Sequence, residues 1–357
     1  MRPQDHDSGA PRHIIELDAS HELPPRTQQA SSSSLGEGFR VRGTCRYTWD
    51  YRTKNERIGR LVELSRGKMP NIEADFDWTL PVDRQDYITE PMYNAFRGFS
   101  SYEALSEAER IRFDWHMHAH TCSNFLHGTQ GAMLVAAQIV ASAPSYEAKL
   151  YAAYQTHDEA LHLELLTTYL ERKVGYLHPI NAELKAILDR VLGEERWYLK
   201  VVGMQLIIEG LAVGAFSAAQ MTCRDRLFRS ICHRIIPDEA RHVTYGVHVL
   251  EQVVHSLSRD EREAAALLAF EMCASVRERL VATSVFDEFG WDPEEARLWQ
   301  LNSQVAANFR SQLFTRIMPN LKRVGLLTPK AQPQYEQLGL LAFVTPPQRN
   351  GDGESRS

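Results

Sequence analysis

The pattern Asp-Glu-Ala-x-His occurs twice in this chain, at residues 158–162 and 238–242, and it restricts the possible folds more than any other feature. In each copy the Glu and the His are three positions apart, so they lie within about 60° of each other on one face of an α-helix. One helix can therefore direct a carboxylate and an imidazole at a single point. One such pair would usually be a solvated helix face, but two copies in apolar helices predict a metal site.

A third apolar stretch, QLIIEGLA at residues 205–212, contains a single carboxylate, Glu209. A buried carboxylate is costly unless it is paired or binds a metal. In four-helix metal bundles, two helices each supply one Glu and the other two each supply a Glu-x-x-His pair. Glu209 precedes Glu239 by 30 residues, so Glu209, Glu239 and His242 predict one complete half of that arrangement.

The same interval of 30 residues before Glu159 leads to Thr129 rather than to a carboxylate. The stretch TQGAMLVA at residues 129–136 resembles the stretch that begins at Glu209 in its small and apolar side chains. By sequence, the second half is complete and the first lacks its isolated Glu. Three carboxylates would leave one excess positive charge on two divalent metal ions.

Residues from about 106 to 255 resemble the ferritin-like superfamily of carboxylate-bridged di-iron oxygenases, oxidases and desaturases. The pattern of that superfamily is E…DExxH…E…DExxH, which is specific when it is complete. This chain departs from the pattern at Thr129 and matches it at the other five positions, which are Glu159, His162, Glu209, Glu239 and His242. The resemblance implies an all-α fold, namely a ferritin-like four-helix bundle with additional C-terminal helices.

The resemblance also implies a role for each matching residue. Glu159 and Glu239 would bridge two metal ions, and Glu209 would bind the second ion alone. His162 and His242 would each bind one ion. These residues are therefore the predicted metal ligands of the chain.

Residues next to the predicted ligands have several candidate roles. By the resemblance, Asp158 and Asp238 accept the outer N–H of the ligating imidazoles and orient them. Gln155 and Gln205 lie one turn before the glutamates of their helices, so each faces the metal cavity or forms a hydrogen bond to a neighbouring helix. Tyr245, one turn after the second motif, is a candidate catalytic donor of a proton or an electron, with core packing as the alternative.

Thr129 is a candidate catalytic position and leaves several hypotheses open. In one hypothesis, water, hydroxide or a substrate carboxylate fills the place of the missing Glu. In another, the first metal binds weakly and the site is mononuclear or mixed-metal. Gln130 reaches the site only after local rewinding of the helix, since it points about 100° away. Alternatively, the site is a structural relic, or a distant group such as His118 compensates. Phe125 and Met133 flank Thr129 on its helix face and are candidates for lining a substrate pocket.

Two other residue groups lack the spacing of metal ligands. Among His116, His118 and His120, positions 116 and 120 share a helix face without an acidic partner, so we expect a surface or partly buried cluster. The cysteines contain no CxxC pair, which favours reduced core thiols in a cytoplasmic protein over a disulfide framework or a zinc ribbon. These cysteines are Cys45, Cys122, Cys223, Cys232 and Cys273.

Charge and hydropathy exclude several classes of partner. The chain has 40 Lys and Arg against 46 Asp and Glu, a formal net charge of −6, so nothing indicates binding to nucleic acid or to an anionic membrane. No uninterrupted apolar run reaches the roughly 20 residues needed to cross a bilayer. The polar start of the chain has no apolar signal segment. We therefore expect a soluble cytoplasmic protein.

The helical pattern also predicts the organisation of the chain. The bundle begins at a capping box formed by Ser106 and Glu109, and Pro237 is expected to kink or bulge its fourth long helix. Residues 39–52 form a short strand or an extended arm, and one helix is predicted at 293–324. Five segments follow: a flexible leader at 1–38, an N-terminal arm and lead-in to the bundle at 39–105, the metal-binding bundle at 106–257, accessory helices packed on it at 258–344, and a disordered tail at 345–357.

The leading functional hypothesis is an O₂-dependent non-haem oxidoreductase, an oxygenase or oxidase, that acts on an organic small molecule. Iron suits a site of imidazoles and carboxylates, and two ions are expected, with one ion or a mixed Mn/Fe pair as alternatives. An external electron donor or reductase is expected, because the chain has no flavin or nicotinamide fingerprint. A metal-storage protein and a non-catalytic ferritin-like scaffold are the alternatives. The helices after residue 259 cover the bundle or form a homodimer interface.

Overall fold

The chain is helical apart from one antiparallel pair of short strands within the residues that the structure describes. These strands are β1 (Ile14–Glu16) and β2 (Thr44–Arg46). The all-α class is confirmed, and the strand predicted at 39–52 is present as β2. The predicted tail, and the predicted leader apart from β1, lie outside the described residues. The computed structural model describes residues 14–16, 43–66, 71–278 and 281–344.

A helix that the sequence analysis did not predict, α1 (Glu56–Ser65), lies in the lead-in segment. Its N-cap, Asn55, accepts hydrogen bonds from the backbone N–H groups of Arg57 and Ile58, which are otherwise unsatisfied at a helix start. Its apolar face packs against two helices of the bundle. A 3₁₀ turn (Pro91–Tyr93) and the short helix α2 (Ser100–Glu103) complete the lead-in.

The bundle consists of four long helical segments that contain both motifs. The predicted capping box is confirmed, since Ser106 accepts a hydrogen bond from Glu109 N and the Glu109 carboxylate accepts one from Ser106 N. A fifth, shorter helix, α5 (Ala182–Leu192), packs against the first segment. The four segments are α3 (Glu107–Ser142), α4 (Tyr146–Tyr169) with a π-helical turn at Leu170–Val174, α6 (Trp197–Val201) continued through a π-helical segment at Val202–Ile208 into α7 (Glu209–Thr222), and α8 (Arg226–Val253).

The accessory region contains more helices than the sequence analysis predicted. The single helix expected at 293–324 is wrong, because Ser303 adopts an extended conformation (φ −67°, ψ 147°) and its side chain caps the next helix at Ala306 N. A serine hydroxyl competes with helix continuation in this way and favours an N-cap. The helices after the bundle are α9 (Arg259–Glu278), α10 (Thr283–Glu288), α11 (Pro293–Asn302), α12 (Gln304–Arg323) and α13 (Gln332–Gln337).

Close packing holds α12 against the bundle. Within the bundle α3 packs on α4 and α7 packs on α8, while α12 packs on the outer side of α7. At the contact between α7 and α12, a Cβ atom on Gly214 would lie 2.7 Å from Leu313 Cδ2. Glycine at this position therefore leaves room for the Leu313 side chain against α7. This contact places the polar face of α12 beside the candidate site.

The third helical segment, Trp197–Thr222, is long and apolar enough to cross a membrane by length and composition, and it is the one such helix in the described part of the chain. However, 72% of its most apolar window is buried inside the protein, which is typical of a core helix. Lys200 interrupts the apolar run, and its Nζ donates hydrogen bonds to Gln138 Oε1 and to the last carbonyls of α5.

Candidate metal centre

Three helices bring four predicted ligands together in the bundle interior. Glu159 lies in α4, Glu209 is the first residue of α7, and Glu239 and His242 lie one turn apart in α8. One ligand atom from each of the four lies within 4.8 Å of the others, and all four side chains are buried. Because the three glutamates come from three different helices, only the assembled bundle forms this cluster.

His162, the fifth predicted ligand, faces the same cluster from α4. Its Nδ1 atom lies 3.2 Å from Glu239 Oε1 and 3.6 Å from Glu159 Oε2. The second imidazole is placed symmetrically, with His242 Nδ1 3.2 Å from Glu159 Oε1 and 3.2 Å from Glu239 Oε2. Each of the two motif glutamates therefore lies between both imidazoles, as the resemblance implied for bridging ligands.

The two motif aspartates lie beside the outer ring nitrogens, and they do so crosswise. His162 Nε2 lies 3.3 Å from Asp238 Oδ2, and His242 Nε2 lies 3.4 Å from Asp158 Oδ2. Each aspartate therefore orients the imidazole of the other motif, rather than that of its own helix. This pairing assigns Nε2–H to the aspartate and leaves Nδ1 of each ring free to bind a metal.

Two arginines that the sequence analysis missed neutralise these aspartates. Arg234 and Arg241 both donate hydrogen bonds to Asp238, and Arg241 also lies 3.6 Å from Asp158 Oδ2. Burial would raise the pKa of Asp238, but the hydrogen bond with His162 and the charges of the arginines lower it to about 2. A signal was available in the sequence, since the arginines lie four residues before and three residues after Asp238, on one helix face.

The two glutamines form a hydrogen-bonded chain that ends on a ligand. Gln155 Nε2 donates to Glu209 Oε1 at 2.6 Å, and Gln205 Nε2 donates to Gln155 Oε1 at 3.1 Å. Of the two roles considered, the helix-to-helix hydrogen bond is the one observed. A Cβ atom on Gly246 would lie 2.4 Å from Gln205 Cβ, so glycine at this position lets α8 approach the π-helical segment that contains Gln205. The hydrogen-bonded glutamines fix the rotamer of Glu209 before any metal binds.

The residues present fit a pair of metal ions. Both carboxylate oxygens of Glu159 and Nδ1 of His162 are buried without a hydrogen-bond partner, an arrangement that costs free energy unless a cation binds there. Burial and the neighbouring carboxylates raise the pKa of Glu209 well above its ordinary value. Burial opposes ionisation of Glu239 too, but the neighbouring imidazoles of His162 and His242 hold its pKa well below its usual range. Mixed carboxylate and imidazole donors suit iron or manganese.

Thr129 lies on α3 at the open side of this cluster. Its side chain is buried, and it lines a cavity of about 950 Å³ together with Glu159, Glu209 and Glu239. Phe125 lines the same cavity, whereas Met133 does not, and Gln130 is exposed to solvent. The position predicted for the missing Glu therefore faces both the ligands and the cavity, and Gln130 is excluded as a substitute.

A π-helical distortion occurs beside Glu209. All of α8 is α-helical, so the bulge considered at Pro237 is not present there. The π-helical segment Val202–Ile208 instead ends directly before Glu209 and changes the direction in which that side chain leaves its helix. Such segments are common at functional sites. The uncharged sequence of this stretch gave no signal of the change.

The predicted catalytic position of Tyr245 requires a correction. Its hydroxyl donates to Ala148 O at 3.0 Å, and its ring stacks on Tyr151 with a centroid distance of 4.4 Å. The hydroxyl is therefore committed to the backbone of α4 and is not directed at the ligands, so Tyr245 packs the core. Tyr151, on which Tyr245 stacks, has its ring centroid 6.5 Å from that of His242.

The histidine cluster on α3 is more buried than predicted. His116 and His118 are buried, because the lead-in segment and the end of α4 cover this part of α3. His118 Nε2 lies 3.0 Å from the Tyr169 hydroxyl and does not compensate for Thr129 at the metal centre. His116 Nδ1 lies 3.4 Å from His178 Nε2. Four of the five cysteines are buried free thiols, as expected, and Cys45 is exposed.

Fold and donor set together define the class: a ferritin-like bundle with a two-metal site of carboxylates and imidazoles. A profile of the p-aminobenzoate N-oxygenase AurF family matches residues 52–325, which is more than half of the chain. The chain belongs to this family. A comparison with curated proteins gives no match.

Solved structures of R2-like ligand-binding oxidases have the same fold. A variant with an anaerobically reconstituted Mn/Fe cofactor has 16% sequence identity and a TM-score of 0.50, and the match covers 78% of this chain and 95% of that chain. An oxidase with an aerobically reconstituted Mn/Fe cofactor has 15% identity and a TM-score of 0.46, over 75% of this chain and 93% of that chain. The match with a TM-score of 0.50 shows that this chain has the same fold as that oxidase.

Membership of the family makes the chain an oxygenase or oxidase that acts on a small molecule. The donor set supports the predicted cofactor, two iron ions or a Mn/Fe pair, with O₂ as co-substrate. When bound, such a reduced metal pair supplies electrons to O₂. The protein contributes the crossed Asp–His contacts, which fix the imidazoles, and the arginines, which lower the pKa of Asp238.

Proposed function

We propose that this protein is an O₂-dependent N-oxygenase that oxidises the amino group of an aromatic small molecule. The observation that carries the proposal is the opening of the ligand cluster into a large cavity, since Glu159, Glu209 and Glu239 line its wall. The family supports the reaction type, because its name describes an N-oxygenase of an aromatic amine. A cavity that ends at the metal ligands can place an amino group beside them.

The first oxidation step has a defined balance of atoms and electrons. An aromatic amine, one O₂, two electrons and two protons give the hydroxylamine and one water. The N–O bond forms, the O–O bond breaks, and the two electrons come from an external donor. We propose a cytoplasmic reductase or a small reductant for this role, because the chain contains no nucleotide-binding fingerprint.

We also propose that Thr129 makes the two metal positions unequal. The half formed by α7 and α8 has a glutamate of its own, Glu209, whose orientation is fixed by Gln155. The half formed by α3 and α4 has Thr129 at the corresponding place. A threonine hydroxyl is a weak, neutral donor in comparison with a carboxylate, so the ion on this side is held less tightly and keeps an exchangeable position toward the cavity.

The proposal is tested by loading the protein anaerobically with Fe(II), counting metal per chain, and then adding O₂, a chemical reductant and a panel of aromatic amines. Mass spectrometry with isotopically labelled O₂ should find hydroxylamine, nitroso or nitro products that carry the label. The matched control is Glu239→Gln, which keeps the side-chain volume and removes the carboxylate between the two imidazoles. Hydroxylation of the ring or of a side chain, with the amine intact, would reject N-oxygenation and retain the oxygenase class.

A further inference from the structure

The cavity is larger than a single aromatic ring requires. Its volume is about 950 Å³, at the upper end of the roughly 300–1,000 Å³ range of pockets that hold drug-sized ligands. An aminobenzoate would contact only part of such a wall and would leave the remainder filled by water. A substrate that fills the cavity buries more apolar surface and binds more tightly.

The wall changes in character from the buried end to the solvent end. At the buried end are the ligand glutamates and Thr129. Two aromatic rings also line the cavity, Phe125 from α3 and Phe216 from α7, with ring centroids 4.1 Å apart. Aromatic side chains of this kind pack against the faces or edges of an aromatic ligand.

At the solvent end the wall is a row of amides on α12. Gln304, Asn308 and Gln312 all line the cavity, and all three are exposed. They are spaced four residues apart, so they lie along one face of the helix. Gln304 Nε2 donates to Asn308 Oδ1 at 2.8 Å, which orders the row. Amide side chains both donate and accept hydrogen bonds, so they complement a ligand group that also does both.

We infer that this amide row is a distal subsite, and that the substrate is an elongated aromatic amine of two or more rings with an amide or hydroxyl group at the end far from the metal centre. The inference rests on the proposed function for the orientation of the amine. The subsite itself rests on the cavity alone, because the amides of α12 and the phenylalanines are not metal ligands. Binding measured without oxidation therefore tests the subsite independently of the N-oxygenase reaction.

The experiment is calorimetric titration of the Fe(II)-loaded protein under anaerobic conditions with three amines. These are 4-aminobenzamide, 4′-amino-biphenyl-4-carboxamide, and the biphenyl in which isopropyl, of similar shape, replaces the carboxamide. We expect the biphenyl carboxamide to bind about tenfold more tightly than the one-ring amide, since the second ring buries more apolar surface. We expect the isopropyl analogue to lose about fivefold relative to the carboxamide, because the amide row is left unpaired.

Variants locate the subsite. Asn308→Ala should weaken binding of the biphenyl carboxamide about fivefold and leave the one-ring amide unchanged, and Gln312→Ala should act in the same direction. The matched control is Asn320→Ala on the same helix, since Asn320 bonds to its own helix at Arg316 O and does not line the cavity. Equal affinity for one-ring and two-ring amides, or an equal effect of Asn308→Ala on both, would overturn the inference. Labelled N-oxygenation products without length selectivity would overturn it and leave the proposed function intact.

Discussion

The two halves of the metal centre share one design and differ in their surroundings. In each half a Glu and a His one turn apart face the centre, and the imidazole is held by the aspartate of the other half at 3.3 or 3.4 Å. The α7–α8 half has Glu209, and its aspartate, Asp238, bonds to two arginines. The α3–α4 half has Thr129, and its aspartate, Asp158, lies 3.6 Å from Arg241, one arginine among the described residues.

This difference separates two tasks of the site. In the α7–α8 half the hydrogen bond from Gln155 fixes Glu209, and we propose that this half holds its metal ion more tightly. The arginines on Asp238 act instead through His162, which belongs to the other half. We propose that the α3–α4 half, with Thr129 where it meets the cavity, is the half suited to exchange and to contact with a substrate. In this proposal, the stronger binding on one side and the open position on the other both follow from Thr129.

The largest expected effect comes from removing one imidazole at a time. His242→Ala should leave no tightly bound metal, whereas His162→Ala should keep about one ion per chain, because the half with Glu209 remains complete. Inductively coupled plasma mass spectrometry after anaerobic loading and desalting measures the difference. Retention of metal in His242→Ala together with loss of both ions in His162→Ala would reverse the proposed asymmetry.

The second-largest effect on metal binding is expected from replacing each aspartate by asparagine. Asp238→Asn should weaken binding of the ion held by His162 by roughly 10- to 100-fold, as loss of outer partners of metal-ligating histidines usually does, and Asp158→Asn should weaken binding of the ion held by His242 by less. Asp238 is the more buried of the two aspartates and bonds to both arginines, so its loss also leaves Arg234 without this charged partner, whereas Arg241 still lies 3.6 Å from Asp158 Oδ2. Competition with a chromophoric chelator gives both affinities. Equal losses in the two variants would show that the arginines do not distinguish the halves.

Thr129→Glu should make the halves alike. A carboxylate at this position adds a charged donor on the cavity side, so the weaker ion should bind about tenfold more tightly, while access of substrate to the centre falls. Thr129→Val is the control, because it keeps the shape and supplies no donor. Chelator titration and turnover are measured on the same preparations. Tighter metal binding in Thr129→Val would indicate a packing effect and contradict the role given to the hydroxyl position.

The smallest effect is expected from Gln155→Met. The change removes the amide that donates to Glu209 at 2.6 Å and leaves a buried carboxyl oxygen unpaired. The free energy of unfolding of the metal-free protein should fall by about 1–3 kcal/mol. Urea denaturation followed by circular dichroism measures it, with Gln130→Met at an exposed position of α3 as control. An unchanged midpoint would mean that Glu209 is held by the α8 contacts alone.

The sequence by itself determined the helical class and the capping box at Ser106, and it picked out the five predicted ligands whose side chains the structure brings together. These features are local, since helical periodicity places residues three or four apart on one face whatever the rest of the chain does. The interval of 30 residues that picked out Thr129 spans one pair of helices, and Thr129 lines the same cavity as Glu159, Glu209 and Glu239. The helix break at Ser303 is local too, but a single serine competes weakly with the helical pattern around it.

The tertiary structure decided the rest. Which aspartate meets which imidazole depends on how α4 and α8 cross, so the exchange of partners between Asp158 and Asp238 has no signature in either motif. Arg241 bridges the two aspartates only because both helices present them to one side. Tyr245 had the helical spacing of a site residue, but the approach of α4 gave its hydroxyl a backbone partner instead. The cavity arises where α12 packs on α7 at Gly214, a contact between residues about 100 positions apart that no local pattern encodes.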